Sequence, residues 1–156
     1  MYFAPDILVS SPDAHDIALV VEVKLHDDDL EQTEQQLKRY MFGMRCPLGL
    51  LVTPERMRLL RDTYTSYAPE SIEWIGDYPI QGLFEEALAR HPKDTDVAVG
   101  AFRLEDAVQA WLERLASGTG LASLSPDLRD ALKEYVLPAL EQGEIRAAGP
   151  RVRRGW

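Results

Sequence analysis

The chain has 156 residues, 46% apolar and 28% charged, with ten glycines and ten prolines, a composition that fits a folded globular protein and excludes collagen-like, coiled-coil and disordered classes. No apolar run approaches the ~18 residues that span a bilayer, and the amino terminus lacks the basic start and small-residue cleavage site of a secretion signal, so a cytoplasmic protein with no membrane partner is expected. Its single cysteine, Cys46, excludes an internal disulfide and a multi-cysteine zinc site, and its net charge of −9 argues against bulk electrostatic coating of nucleic acid.

Phe3 to Ser10 and Ile17 to Leu25 are β-branched-rich runs of strand length. The turn chemistry of Ser11-Pro12-Asp13-Ala14-His15-Asp16 separates them, which predicts a hairpin. A cap at Asp28 or Asp29 then leads into an amphipathic helix marked by Leu30, Leu37, Met41 and Met44 and ending near Gly43. Pro47 to Thr53 reads as a strand buried on both faces, Arg58 to Tyr64 as its successor after the Pro54-Glu55 turn, and Ser71 to Ile75 as a further short strand.

Ile80, Leu83, Phe84, Ala87 and Leu88 mark a helix stopped by Pro92. Leu104, Val108, Trp111 and Leu115 mark another, ended by Gly118. Gly118-Thr119-Gly120 is the linker candidate. Ser125-Pro126 opens a last helix in which Pro138 should make a kink or break, and Arg146, Arg151, Arg153 and Arg154 form a basic tail. The expected organisation is an α/β domain over residues 1–90, a mixed β-sheet flanked by helices, followed by a mostly helical extension over residues 91–156.

Charge is unevenly distributed. Residues 1–35 carry nine acids against the single base Lys24, whereas residues 36–62 carry Lys38, Arg39, Arg45, Arg56, Arg58 and Arg61 against Glu55 and Asp62. Acids beside bases are what a metal-assisted phosphodiester chemistry requires, the acids holding cations and the bases holding phosphates.

The acids can be placed more closely. Glu22 and Lys24 lie two residues apart on one strand and so share a face. A hairpin turn centred on Ala14 pairs Asp6 with Glu22, whose Cβ atoms would then lie ~4.5–5.5 Å apart, whereas Asp13 falls at the hairpin tip. Asp6, Glu22 and a backbone carbonyl form a hard oxygen site suited to Mg²⁺ or Mn²⁺, and an adjacent lysine can orient a metal-bound water or stabilise charge at phosphorus. His15, His26 and His91 have no metal-ligand spacing, and neither a P-loop nor a Gly-x-Ser-x-Gly elbow is present.

Pro5-Asp6, fifteen intervening residues and then Glu22-Val23-Lys24 resembles the signature of the PD-(D/E)XK nuclease superfamily, which has the restriction-endonuclease-like fold. Gln36 through Tyr40 resembles the Q-x-x-x-Y motif of its RecB-like and type I restriction-subunit branches. The resemblance covers about residues 3 to 65. It implies a metal-dependent nuclease, a restriction-endonuclease-like hydrolase of nucleic acid with DNA the expected substrate and endo or exo action left open, with Asp6, Glu22 and the Val23 carbonyl as metal ligands and Lys24 as the catalytic lysine. Gln36 and Tyr40 would be accessory to catalysis, and Lys38, Arg39, Arg45, Arg56 and Arg58 would contact nucleic acid. It also implies assembly as a homodimer or within a larger restriction or repair complex. That fold opens with a helix, often bearing another acid, and a first strand, neither of which has a counterpart ahead of Pro5-Asp6. The alternative reading is therefore a nuclease-like DNA-binding or assembly module without turnover.

Overall fold

The computed structural model describes residues 4–13, 15–26, 29–80, 82–85 and 97–147, with backbone alone over 97–102. Its framework is a six-stranded mixed sheet. The strands are β1 (Ile7–Ser10), β2 (Ile17–Val23), β3 (Leu48–Val52), β4 (Arg56–Asp62), β5 (Ile72–Pro79) and β6 (Glu144–Ala147), in the spatial order β5-β4-β3-β2-β1-β6. The β2–β3 pair is parallel and every other pair is antiparallel. Helix α1 (Leu30–Met44) makes the crossover between β2 and β3, as a parallel pair requires. Helix α2 (Val97–Ala116) is followed by α3 (Pro126–Ala131) and α4 (Leu137–Gln142), which lead into β6.

Alternation along the strands divides the interior in two. Val21 and Val23 of β2, with Leu50, Val52, Met57 and Leu59, pack under the buried Leu104, Val108, Trp111 and Leu112 of α2 and Leu128 and Leu140 farther on. Val20, on the opposite face of β2, joins Leu51 and Leu60 beneath Leu37 and Met41 of α1. Both faces of β2 and β3 are therefore covered, which explains why IALVVEV and LGLLV read as nearly unbroken apolar runs. Gly49 lets α1 lie close to the sheet, since a Cβ there would displace the Met41 thioether.

The hairpin register follows the expected arithmetic: Ile7 opposes Val21, Leu8 opposes Val20 and Val9 opposes Leu19, before a one-residue irregularity pairs Ser10 with Ile17. Helix α1 begins where expected, but Asp29 makes no side-chain cap. It sits in the left-handed region, and its carbonyl accepts from the Thr33 amide and hydroxyl. Thr33 and Glu34 complete the buried face of α1, while Met44, expected in the core, is half exposed because the chain turns away through a left-handed Arg45. Cys46 is buried, donates to the Leu48 carbonyl at 3.2 Å, and has its thiol pushed up to about 12 by burial.

The helix marked by Ile80 to Leu88 lies largely outside the described residues, as do Arg151, Arg153 and Arg154. The break expected at Pro138 takes the form of a π-helical turn over Leu132–Val136, in which the Leu137 amide reaches back to the Leu132 carbonyl. The extra residue relieves the clash between a proline ring and the carbonyl four residues before it. The described residues 97–147 do not form a helical appendage. They share the core of the sheet and end in β6, with Ile7 opposite Ala147 and Ser10 opposite Glu144. Among the described residues no helix is long and apolar enough to cross a membrane.

The junction that delivers β6 is tight. A Cβ on Gly143 would lie 2.6 Å from the Ser10 carbonyl oxygen and 2.9 Å from its carbon, and backbone cannot swing aside as a flexible side chain would. Gly143→Ala should destabilise the protein by about 1–3 kcal/mol. Chemical denaturation should register the loss, and amide exchange should show it concentrated in β1 and β6.

Candidate active site at the end of strand β2

Extending the hairpin register by one residue brings Asp6 opposite Glu22. The Asp6 amide donates to the Val21 carbonyl at 3.0 Å, and Asp6 Oδ2 accepts from the Val23 amide at 2.8 Å. The Asp6 side chain is thereby pinned across the strand boundary beside Glu22. Glu22 is 7% exposed, and its Oε1 is buried without a hydrogen-bond partner. Its carboxyl is pushed up to about 9, first by burial, then by the Asp6 charge and a side-chain hydrogen bond to Asp6. Lys24 pulls in the opposite direction, and Glu105 adds to the rise.

Lys24 follows β2 directly, its amide donating to the Val52 carbonyl at 2.8 Å, so the parallel pairing with β3 fixes its backbone. Asp6, Glu22 and Lys24 thus converge as the hairpin register requires. Tyr40 is half-buried against the cluster containing Val20 and Leu51, which places it on the Glu22 side of the sheet, and Gln36 stands one turn before it.

Glu105 is the site residue that the sequence reading missed. It is 5% exposed on α2, near enough for its charge to act on Glu22. A signal was present, because Glu105 stands three and seven residues before Val108 and Leu112 and so lies on the apolar stripe of its helix. A carboxylate on such a stripe is costly without a use.

The cations expected to meet phosphate have divergent fates. Arg58 Nη1 binds Glu34 at 2.8 Å, while its Nη2 and Nε bind Asp77 Oδ2 at 2.8 and 3.2 Å. Its guanidinium stacks on Trp74 at 3.7 Å from the ring centroid. Arg56 Nε meets Asp77 Oδ1 at 3.0 Å, and Lys38 meets Glu34 at 3.4 Å. These three bases neutralise acids that folding brings to them. Arg39 and Arg45 are exposed and make no ion pair among the described residues.

A metal ion would have to fit what is present. The orphaned Glu22 Oε1 and the adjacent Asp6 carboxylate are hard oxygen donors of the right chemistry for Mg²⁺ or Mn²⁺. Among the described residues no group of three His, Cys, Asp or Glu side chains is arranged to hold an ion. The fit is therefore that of a two-carboxylate site, with backbone and water completing the shell.

Two consequences can be measured. Arg58 is largely buried between two carboxylates, and Arg58→Met should cost about 1–3 kcal/mol in denaturant unfolding because it removes the charged hydrogen bonds to both and leaves Glu34 with Lys38 alone and Asp77 with Arg56 alone. For Glu22, a folded value near 9 against an ordinary 4.5 means that, between those limits, the metal-free folded protein keeps a proton that the unfolded chain releases. This contribution to stability is full below about pH 4.5 and lost as pH rises through about 9, at up to about 1.4 kcal/mol per pH unit for a single proton. Thermal unfolding with chelator from pH 5 to 9 should show the decline, and Glu22→Gln should flatten it.

Comparison with protein families, curated protein sequences and solved structures gives no match.

Proposed function

We propose that the protein is a metal-dependent nuclease of the PD-(D/E)XK type, hydrolysing phosphodiester bonds in nucleic acid, with DNA as the first substrate to test. The observation that carries this reading is the Glu22–Asp6 pair: a buried carboxyl with an unpartnered oxygen, held against a second carboxylate with Lys24 beside it.

The strand order supports the reading. β6 lies beside β1, and α2 brings the buried acid Glu105 toward Glu22. A helix with an acid and a flanking strand are what the resemblance expects ahead of Asp6, and here a later part of the chain supplies comparable elements.

Asp6 and Glu22 would hold the cation, with the Val23 carbonyl as the further donor. When bound, a divalent ion supplies Lewis acidity toward a phosphoryl oxygen and lowers the pKa of a coordinated water. Asp6 keeps its orientation through the Val23 amide. Glu22 must give up its proton to act as a ligand, which Lys24 favours and Glu105 opposes. Lys24 holds positive charge where the attacking water or the phosphorus-bound oxygens need it. Gln36 and Tyr40, on the same side of the sheet, would steady the substrate.

The absence of a three-ligand group among the described residues favours a second reading, a nuclease-like binding or assembly module without turnover. The two readings differ in three measurements. For the nuclease, Mg²⁺ or Mn²⁺ should support cleavage of linear DNA, and Lys24→Ala should lower its rate by at least about 100-fold with the fold intact. Millimolar Mg²⁺ should raise the melting temperature of the wild type and of Lys24→Ala but not of Glu22→Ala. Salt-sensitive DNA retention without metal, with no cleavage and no Mg²⁺ stabilisation, would favour the module.

A further inference from the structure

At the carboxyl end of α1 the surface opens into a cleft of about 520 Å³, whose lining includes Phe42, Arg45, Asp62, Tyr64 and Tyr67. This volume lies within the roughly 300–1,000 Å³ range of small-ligand sites. Tyr64 is 73% exposed and Tyr67 is 86% exposed, so two rings of one cleft stand largely in solvent.

The rings are built in rather than loosely displayed. Phe42 meets Tyr67 edge-on, with centroids 6.0 Å apart and planes at 85°. Tyr64 is held at φ 58° by its amide donating to Asp62 Oδ1 at 2.9 Å. Arg45 is held at φ 56° by its amide donating to the carbonyls of Met41 and Phe42. Residues other than glycine, asparagine and aspartate seldom adopt this conformation.

The cleft carries one acid and one base. Asp62 accepts at Oδ1 from the Tyr64 amide and from the Ser71 hydroxyl at 2.6 Å, which fixes its place at the wall. Arg45 makes no ion pair among the described residues, and neither does Arg39, which stands three and four residues before Phe42 and Gly43 on the same side of α1. Cation and aromatic faces thus occur together on a protein whose net charge is −9.

We propose that this cleft is a stacking site for an unpaired base of single-stranded nucleic acid, with Arg45 on the adjoining phosphate. Free-standing rings stack on bases that are out of a duplex and do so with little regard to sequence. The inference rests on the nucleic-acid reading above and narrows its substrate to one with a single-stranded portion. Arg39, one turn before the cleft on the same side of α1, extends the basic surface from the cleft toward the amino end of the helix.

The test is fluorescence anisotropy with labelled oligothymidylate and with a duplex control, in chelator so that no cleavage occurs. Tyr67→Ala should weaken single-strand binding by about 5- to 100-fold, Tyr67→Phe should retain it, and duplex binding should be unchanged. Arg45→Ala should reduce the slope of log affinity against log salt by about 0.7. Both residues are exposed, and circular dichroism of each variant should match the wild type. Wild-type affinity in Tyr67→Ala, equal losses in the alanine and phenylalanine variants, an equal loss on duplex, or no oligonucleotide binding at all would overturn the proposal. Metal-dependent cleavage with single-strand affinity indifferent to Tyr67 would remove the cleft and leave the nuclease. Tyr67-dependent binding without cleavage in any metal would keep the cleft and remove the nuclease.

Discussion

Glu22 stands among Val20, Val21 and Val23, and an ionised carboxylate left unpaired in such surroundings is penalised by several kcal/mol. Its neighbours moderate that penalty in two ways. Asp6 shares a hydrogen bond that favours the protonated form, and Lys24 partly favours the charged one. Both neighbours depend on strand pairing: Asp6 on the β1–β2 register and Lys24 on the hydrogen bond that its backbone amide donates to the Val52 carbonyl of β3. The parallel pair at the centre of the sheet and the hairpin beside it are therefore conditions for the site as well as parts of the scaffold.

The second charged group of the molecule, Arg58 with Glu34, Asp77, Lys38 and Arg56, solves a different problem. Glu34 belongs to the buried face of α1 and would face an apolar sheet were Arg58 not directly beneath it. Arg58 in turn is fixed by the flat face of Trp74 and by both its bonds to Asp77 on the edge strand. Charge at this end of the sheet is consumed in holding α1 and β5 to β4. Surface Arg39 and Arg45 are left for any external anion.

Local patterns carried most of the framework. The register of a short hairpin follows from its turn, so the approach of Asp6 to Glu22 was legible before any coordinates; the α1 stripe through Leu37 and Met41 and the two-faced apolarity of β3 were equally so. What escaped depends on distant partners. β6 is four residues long, half exposed and contains Glu144 and Arg146, so nothing in its own composition marks it as a strand until β1 is beside it. Arg56 and Arg58 read as available bases because Asp77 lies about twenty positions away in sequence. Glu105 could have been found from its place on an apolar stripe, but its convergence with Glu22 depends on how α2 crosses the sheet.

The pairing of Ile7 with Ala147 has a kinetic meaning. Two strands that lie side by side in space are almost as far apart in sequence as this chain permits, and loop closure over that span has to precede any reward from the contact. The β1–β2 hairpin and the β2–α1–β3 crossover can form early from nearby segments, with Asp6 and Glu22 already together. Glu105 and the cover over the other face of β2 arrive only with the late closure. Until then Val21, Val23, Leu50 and Val52 on that face stay open to water, so their burial waits on the closure.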